Sequence, residues 1–178
     1  MRTVPLSRVL GAALICVALP AAAHAEELPT RKAGLWDLKV AIAGGQVPAM
    51  TIQQCTDETT DKQMVAMAGP MQRDTCADRK VQKTATGFVV DAQCAAAGVS
   101  MTSHAEIAGD FNSAYTARIT SQQSGGPAAV PRETAVTVDA KWLGACKPDQ
   151  KPGDVVMPGG MKVNIKDLEA AKSLMRKP

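Results

Sequence analysis

The sequence predicts a mainly β fold: an antiparallel β-meander of about seven strands curled into an open or partial barrel, with a short inserted helix and a C-terminal helix. The first observation behind this is alternation. Trp36, Leu38, Val40 and Ile42 are interleaved with Asp37, Lys39 and Ala41, the two-residue period of a half-buried strand, and the pattern recurs along the chain. The second is that turn-forming residues separate these runs at short intervals, which suits antiparallel neighbours with one polar side. The third is size. A chain of 178 residues is enough for one modest domain and excludes an eight-fold β/α barrel, which needs roughly 250.

The N-terminal residues read as an address. Arg2 and Arg8 precede an apolar run over 9–19, Pro20 follows, and Ala23 and Ala25 place small residues at positions −3 and −1 of a cleavage site. This is a secretory signal peptide over 1–25, cleaved near Ala25. The run is shorter than the roughly 20 apolar residues of a membrane span, so no transmembrane anchor is expected. Cys16 lacks the small residues before it that a lipoprotein signal needs. The expected mature protein divides into a disulfide-linked β domain over 26–146 and a C-terminal wrap and amphipathic helix over 147–178.

Within that domain, Gly44, Gly45 and Pro48 turn the first strand into a second at 50–55. Met64, Met67 and Met71 then fall at helical spacing, a short helix over 57–71 ended by Gly69 and Pro70. Residues 76–94 read as a hairpin turning around Ala85-Thr86-Gly87, with Phe88, Val90, Ala92 and Cys94 on one face of the return strand. Val99, Met101, Ala105 and Ile107 alternate with Ser100, Thr102, His104 and Glu106. After a turn at 109–112, Tyr115, Ala117 and Ile119 continue the apolar face. Residues 121–131 form a flexible loop by composition, and Val136, Val138, Ala140 and Trp142 make the last strand. Residues 147–160, rich in Pro and Gly, read as a wrap without regular structure. Leu168 and Leu174-Met175, with Asp167 and Glu169 early and Arg176 and Lys177 late, read as a helix over 166–177 whose charge order suits its dipole.

Cleavage leaves four cysteines, Cys55, Cys76, Cys94 and Cys146, and none of the close pairs that mark a zinc site. In an exported chain they are expected to form two disulfides. Cys76 and Cys94 are mirror positions about Ala85, so an antiparallel hairpin sets them opposite each other. The favoured pairing is Cys76 with Cys94 and Cys55 with Cys146; two other connectivities stay open.

Gly34-Leu35-Trp36-Asp37, Gln53-Gln54-Cys55, the Cys76 to Cys94 hairpin, Gly109-Asp110 followed by Tyr115, and Leu143-Gly144-Ala145-Cys146 occur in that order. As an ordered set they resemble the family called domain of unknown function 3617, small exported proteins of Gram-negative bacteria. The resemblance spans 31–146 and extends more weakly through Lys151-Pro152-Gly153-Asp154 to Asn164. It implies a periplasmic or secreted all-β protein and brings no activity, cofactor or catalytic residue.

The residues add little chemistry of their own. Twenty Lys and Arg against seventeen Asp and Glu give +3, too slight an excess for nucleic acid. His104, the one histidine after residue 25, lies on the polar face beside Thr102 and Glu106 and reads as a solvated side chain. Asp57, Glu58, Asp61, Asp74 and Asp78 read as solvated acids. No GxSxG, HExxH, phosphate-loop or dinucleotide fingerprint occurs, so no enzyme and no cofactor are expected. The remaining role is a non-catalytic binding or structural component of the cell envelope, whose partner is a small apolar ligand or an envelope protein. The alternative is a Cu(I) site built from the thioethers of Met64, Met67 and Met71, since soft sulfur selects Cu(I); packing of flexible Met side chains over an aromatic-poor sheet is the competing account. A hydrolytic enzyme ranks third.

Overall fold

The computed structural model describes residues 27–44, 48–67, 76–96, 98–126 and 132–175. Residues 1–25, expected to be a signal peptide, Gly69-Pro70, Met71, Asp74, residues 127–131 of the expected loop, and Arg176 and Lys177 lie outside these. Eleven elements follow one another: β1 (Gly34–Ile42), β2 (Met50–Thr56), α1 (Glu58–Met67), β3 (Cys76–Lys83), β4 (Gly87–Ala96), β5 (Val99–Asp110), β6 (Ala114–Ser124), β7 (Glu133–Gly144), β8 (Asp154–Val156), β9 (Lys162–Asn164) and α2 (Ile165–Met175). The strands form one open antiparallel sheet in the order β3-β4-β5-β6-β7-β1-β2-β8-β9.

The meander from β3 to β7 follows the alternation, and β1 returns to lie beside β7. Trp36 faces Trp142, Leu38 faces Ala140 and Val40 faces Val138 across that seam. The sheet has nine strands rather than about seven, because the segment 147–160 expected to be irregular carries β8, and β9 follows between it and the C-terminal helix. Each is three residues long, too short to show a period, and β8 is recruited by pairing with the free edge of β2.

One face, the inner, collects the apolar residues of the meander. Val90, Ala105, Ile107 and Ala117 form one buried cluster, and Trp36, Leu38 and Ala140 another. The few aromatic rings are concentrated rather than dispersed: Phe88 meets Phe111 edge to face at 5.8 Å, Phe111 stacks on Tyr115 at 4.9 Å, and Tyr115 lies 5.8 Å from Trp36. Such contacts add about 0.5–1.5 kcal/mol each beyond their area. Connecting β2 to β3 takes the chain from the seventh strand position to the first, and α1 lies on that route. Val65 of α1 and Leu28 of the N-terminal arm pack on the inner cluster.

Asp57 starts α1 as its cap. Its Oδ1 accepts the Thr60 N–H at 2.8 Å while its own N–H donates to Thr60 Oγ1 at 2.9 Å, a reciprocal box at the helix entry. These bonds, the backbone one first, hold the Asp57 carboxyl below its ordinary range. The C-terminal wrap runs along the edge of β2, where β8 pairs with it and the Gly153 N–H donates to the Cys55 carbonyl at 2.9 Å; Cys55 and its β1 neighbour Leu35 are both buried. Asn164 donates to Asp154 Oδ1 at 2.7 Å, and the Lys151 N–H donates to Asp154 Oδ2 at 3.0 Å. Burial opposes ionisation of Asp154, but these donors outweigh it and its pKa is lowered.

Candidate functional site

Two disulfides fasten the two flanks of the sheet. Cys76 and Cys94 are directly opposite across the β3–β4 pair, with Cα atoms 3.9 Å apart. Cys55 and Cys146 join β2 to the chain leaving β7, with Cα atoms 5.5 Å apart. The resemblance residues between them serve the backbone. A Cβ on Gly34, at φ +131°, would sit 2.2 Å from the Gly144 carbonyl oxygen, and one on Gly109 would sit 2.6 Å from the Ala114 oxygen. Both glycines are therefore sites of close strand approach. The N-terminal arm brackets both indoles: Trp36 Nε1 donates to the Lys32 carbonyl at 2.8 Å, Trp142 Nε1 donates to the Ala33 carbonyl at 3.1 Å, and the Lys32 ammonium lies 3.7 Å over the Trp142 ring. Trp36 is fully buried, whereas Trp142 is only half-buried.

Beneath α1 lies an ion pair that the sequence reading missed. Arg31 Nε donates to Asp61 Oδ1 at 2.6 Å and the Arg31 backbone N–H donates to Asp61 Oδ2 at 2.8 Å, with the two side chains only 5% and 1% exposed. The guanidinium also donates to Gln54 Oε1 at 2.9 Å and lies 5.6 Å over the Trp36 ring. Asp61 is thus corrected from a solvated acid to a buried one. The signal was present in its spacing: it sits three residues before Met64, on the same stripe of α1. Glu58, by contrast, is exposed and pairs with Lys62 at 2.7 Å. Tyr115, close to this pair, has its pKa raised chiefly by burial.

The thioethers divide. Met64 is buried with its sulfur 3.8 Å from the Arg31 guanidinium, and Met67 is half-buried. A fixed positive charge at that distance opposes a second cation, so Met64 acts here as packing. Met157 and Met161 flank a turn closed by the Met157 N–H donating to the Met161 carbonyl at 2.8 Å.

On the outer face, strands β3 to β6 frame an open groove of about 620 Å³ lined by Lys80, Asp91, Gln93, Thr102, His104 and Gln122, among others. One cross-strand row runs through it, Lys80 to Asp91 to His104 to Thr120. His104 Nδ1 is 2.7 Å from Asp91 Oδ1, and its Nε2 is 3.7 Å from Glu106 Oε1. The hydrogen bond to Asp91 raises the His104 pKa; burial opposes it, and the Asp91 charge and the Glu106 carboxylate add to the rise. The imidazole is therefore positioned by Asp91.

A family model described as a protein of unknown function (DUF3617) matches residues 31–146. No curated protein and no solved structure matches the chain.

Proposed function

The chain belongs to the DUF3617 family, and on that premise we propose that it is an exported, non-catalytic binding or structural component of the cell envelope. One observation carries this reading: the residues that bear the family resemblance are spent on the fold. Cys55, Cys76, Cys94 and Cys146 are bridged, Gly34 and Gly109 admit close strands, and Trp36 and Tyr115 join the aromatic string. None of these lines the outer groove. The two bridges suit an oxidising compartment, the leader pattern supplies the route to it, and no helix among the described residues is long and apolar enough to cross a membrane.

Expression of the full chain in a Gram-negative host, followed by osmotic shock, tests the location. A periplasmic product beginning at Glu26 with no free thiol is expected. A cytoplasmic product that keeps residues 1–25 and has all five thiols reactive, Cys16 included, would overturn the reading. Turnover of an ester, phosphate or glycoside substrate that is lost in His104→Ala would overturn its non-catalytic half.

A further inference from the structure

A metal-binding imidazole usually presents one nitrogen to the ion and donates its other N–H to a carboxylate, which fixes the tautomer and the ring orientation. His104 holds the second half of that arrangement. Its Nδ1 lies 2.7 Å from Asp91 Oδ1, the length of a charge-assisted bond, so the neutral ring carries its proton on Nδ1 and leaves the Nε2 lone pair free. Glu106 Oε1 is 3.7 Å from that nitrogen. His104 and Glu106 are two residues apart on β5 and share the outer face. An ion at about 2.0–2.2 Å from a nitrogen and an oxygen holds them roughly 3.0–3.5 Å apart, so closure needs a few tenths of an ångström from a Glu106 side chain that is 64% exposed.

We propose that His104 Nε2 and Glu106 Oε1 chelate a divalent cation of the Zn²⁺ or Cu²⁺ class, with Asp91 as the positioning residue. This goes beyond the envelope role and does not depend on it. One imidazole and one carboxylate suit these ions. No three His, Cys, Asp or Glu side chains converge on a metal position among the described residues, so the other coordination positions open to water or to a ligand in the groove. Lys80 stands opposite Asp91 and Arg118 opposite Glu106. Both cations lower the affinity, which is expected to be micromolar rather than that of a closed structural site. Protons compete for Nε2, so binding weakens as the pH falls.

The test is titration of the processed, untagged protein with ZnCl₂ and CuCl₂, followed by calorimetry and by ¹⁵N NMR of the His104 ring. Saturable binding at one site is expected, with Zn²⁺ moving the Nε2 resonance while the Nδ1 proton is retained. His104→Ala abolishes it, and Asp91→Asn weakens it about 10–100-fold, with far-UV circular dichroism unchanged in both. Undiminished binding in His104→Ala, an unmoved Nε2 signal, or no saturable binding at millimolar metal would overturn the site. Parent-like affinity in Asp91→Asn would remove Asp91 from it.

Discussion

Each flank of the sheet carries a disulfide and a cation–carboxylate pair, and the two flanks use them differently. On the β1–β2 flank, Cys55–Cys146 spans 91 residues and Arg31–Asp61 lies beneath α1, closed from water. On the β3–β5 flank, Cys76–Cys94 spans 18 residues and Asp91–His104 is about half exposed, at 49% and 47%. The contrast teaches that bond type does not fix a bond's role. Closure from water makes the first pair a structural commitment, because neither partner can be removed without leaving a buried charge. Solvent screens the second and leaves it free for chemistry.

The largest expected effect breaks the contrast between the bridges. Replacing Cys55 and Cys146 by Ser is expected to cost about 4.6 kcal/mol in the chain-entropy model, against about 3 kcal/mol for Cys76 and Cys94, because the longer loop gains more freedom when unfolded. Urea titration of the two double variants reads the difference. Comparable in size at its centre is Asp61→Ala, at about 3–5 kcal/mol, since it strands the Arg31 guanidinium in the core. The same denaturation series sharpens the point twice over. Asp91→Ala should lose less than about 1 kcal/mol, and Arg31→Met combined with Asp61→Leu should recover most of the Asp61→Ala loss by removing both charges.

Smaller still is Gly34→Ala, at about 1–3 kcal/mol, because the added methyl meets the Gly144 carbonyl in a left-handed backbone. Gly44→Ala, also at positive φ but in open space, should lose less in a paired thermal melt. The smallest effect is a pH slope. The folded-state pKa of His104 is raised, so its contribution is fully present below the unfolded value near 6.5 and is lost as the pH rises through the folded one. His104→Gln should flatten that part of the stability–pH curve, while the fall on the acid side, where Asp57 and Asp154 regain protons, persists. An unchanged slope between wild type and His104→Gln would show that Asp91 and Glu106 do not stabilise the imidazolium.

Local pattern alone determined the strands of the meander, the face each residue takes and the hairpin that sets Cys76 opposite Cys94, because side-chain alternation and turn residues act between near neighbours. It also placed His104 on the polar face and Met64 on a packed helical stripe. The tertiary structure decided the rest. Alternation says which side of a strand is apolar but not which strand lies next to it, so the seam between β1 and β7 and the recruitment of β8 to the edge of β2 emerged only on assembly. Burial of Asp61 likewise needed Arg31, thirty residues away, to arrive with a compensating charge. His104 and Glu106 already shared the polar face of β5, but Asp91 met them only when β4 paired with β5, and the groove around them needed β3 and β6 as well. Pairings distant along the chain depend on the whole sheet closing over its apolar face, and no local sequence window contains that information.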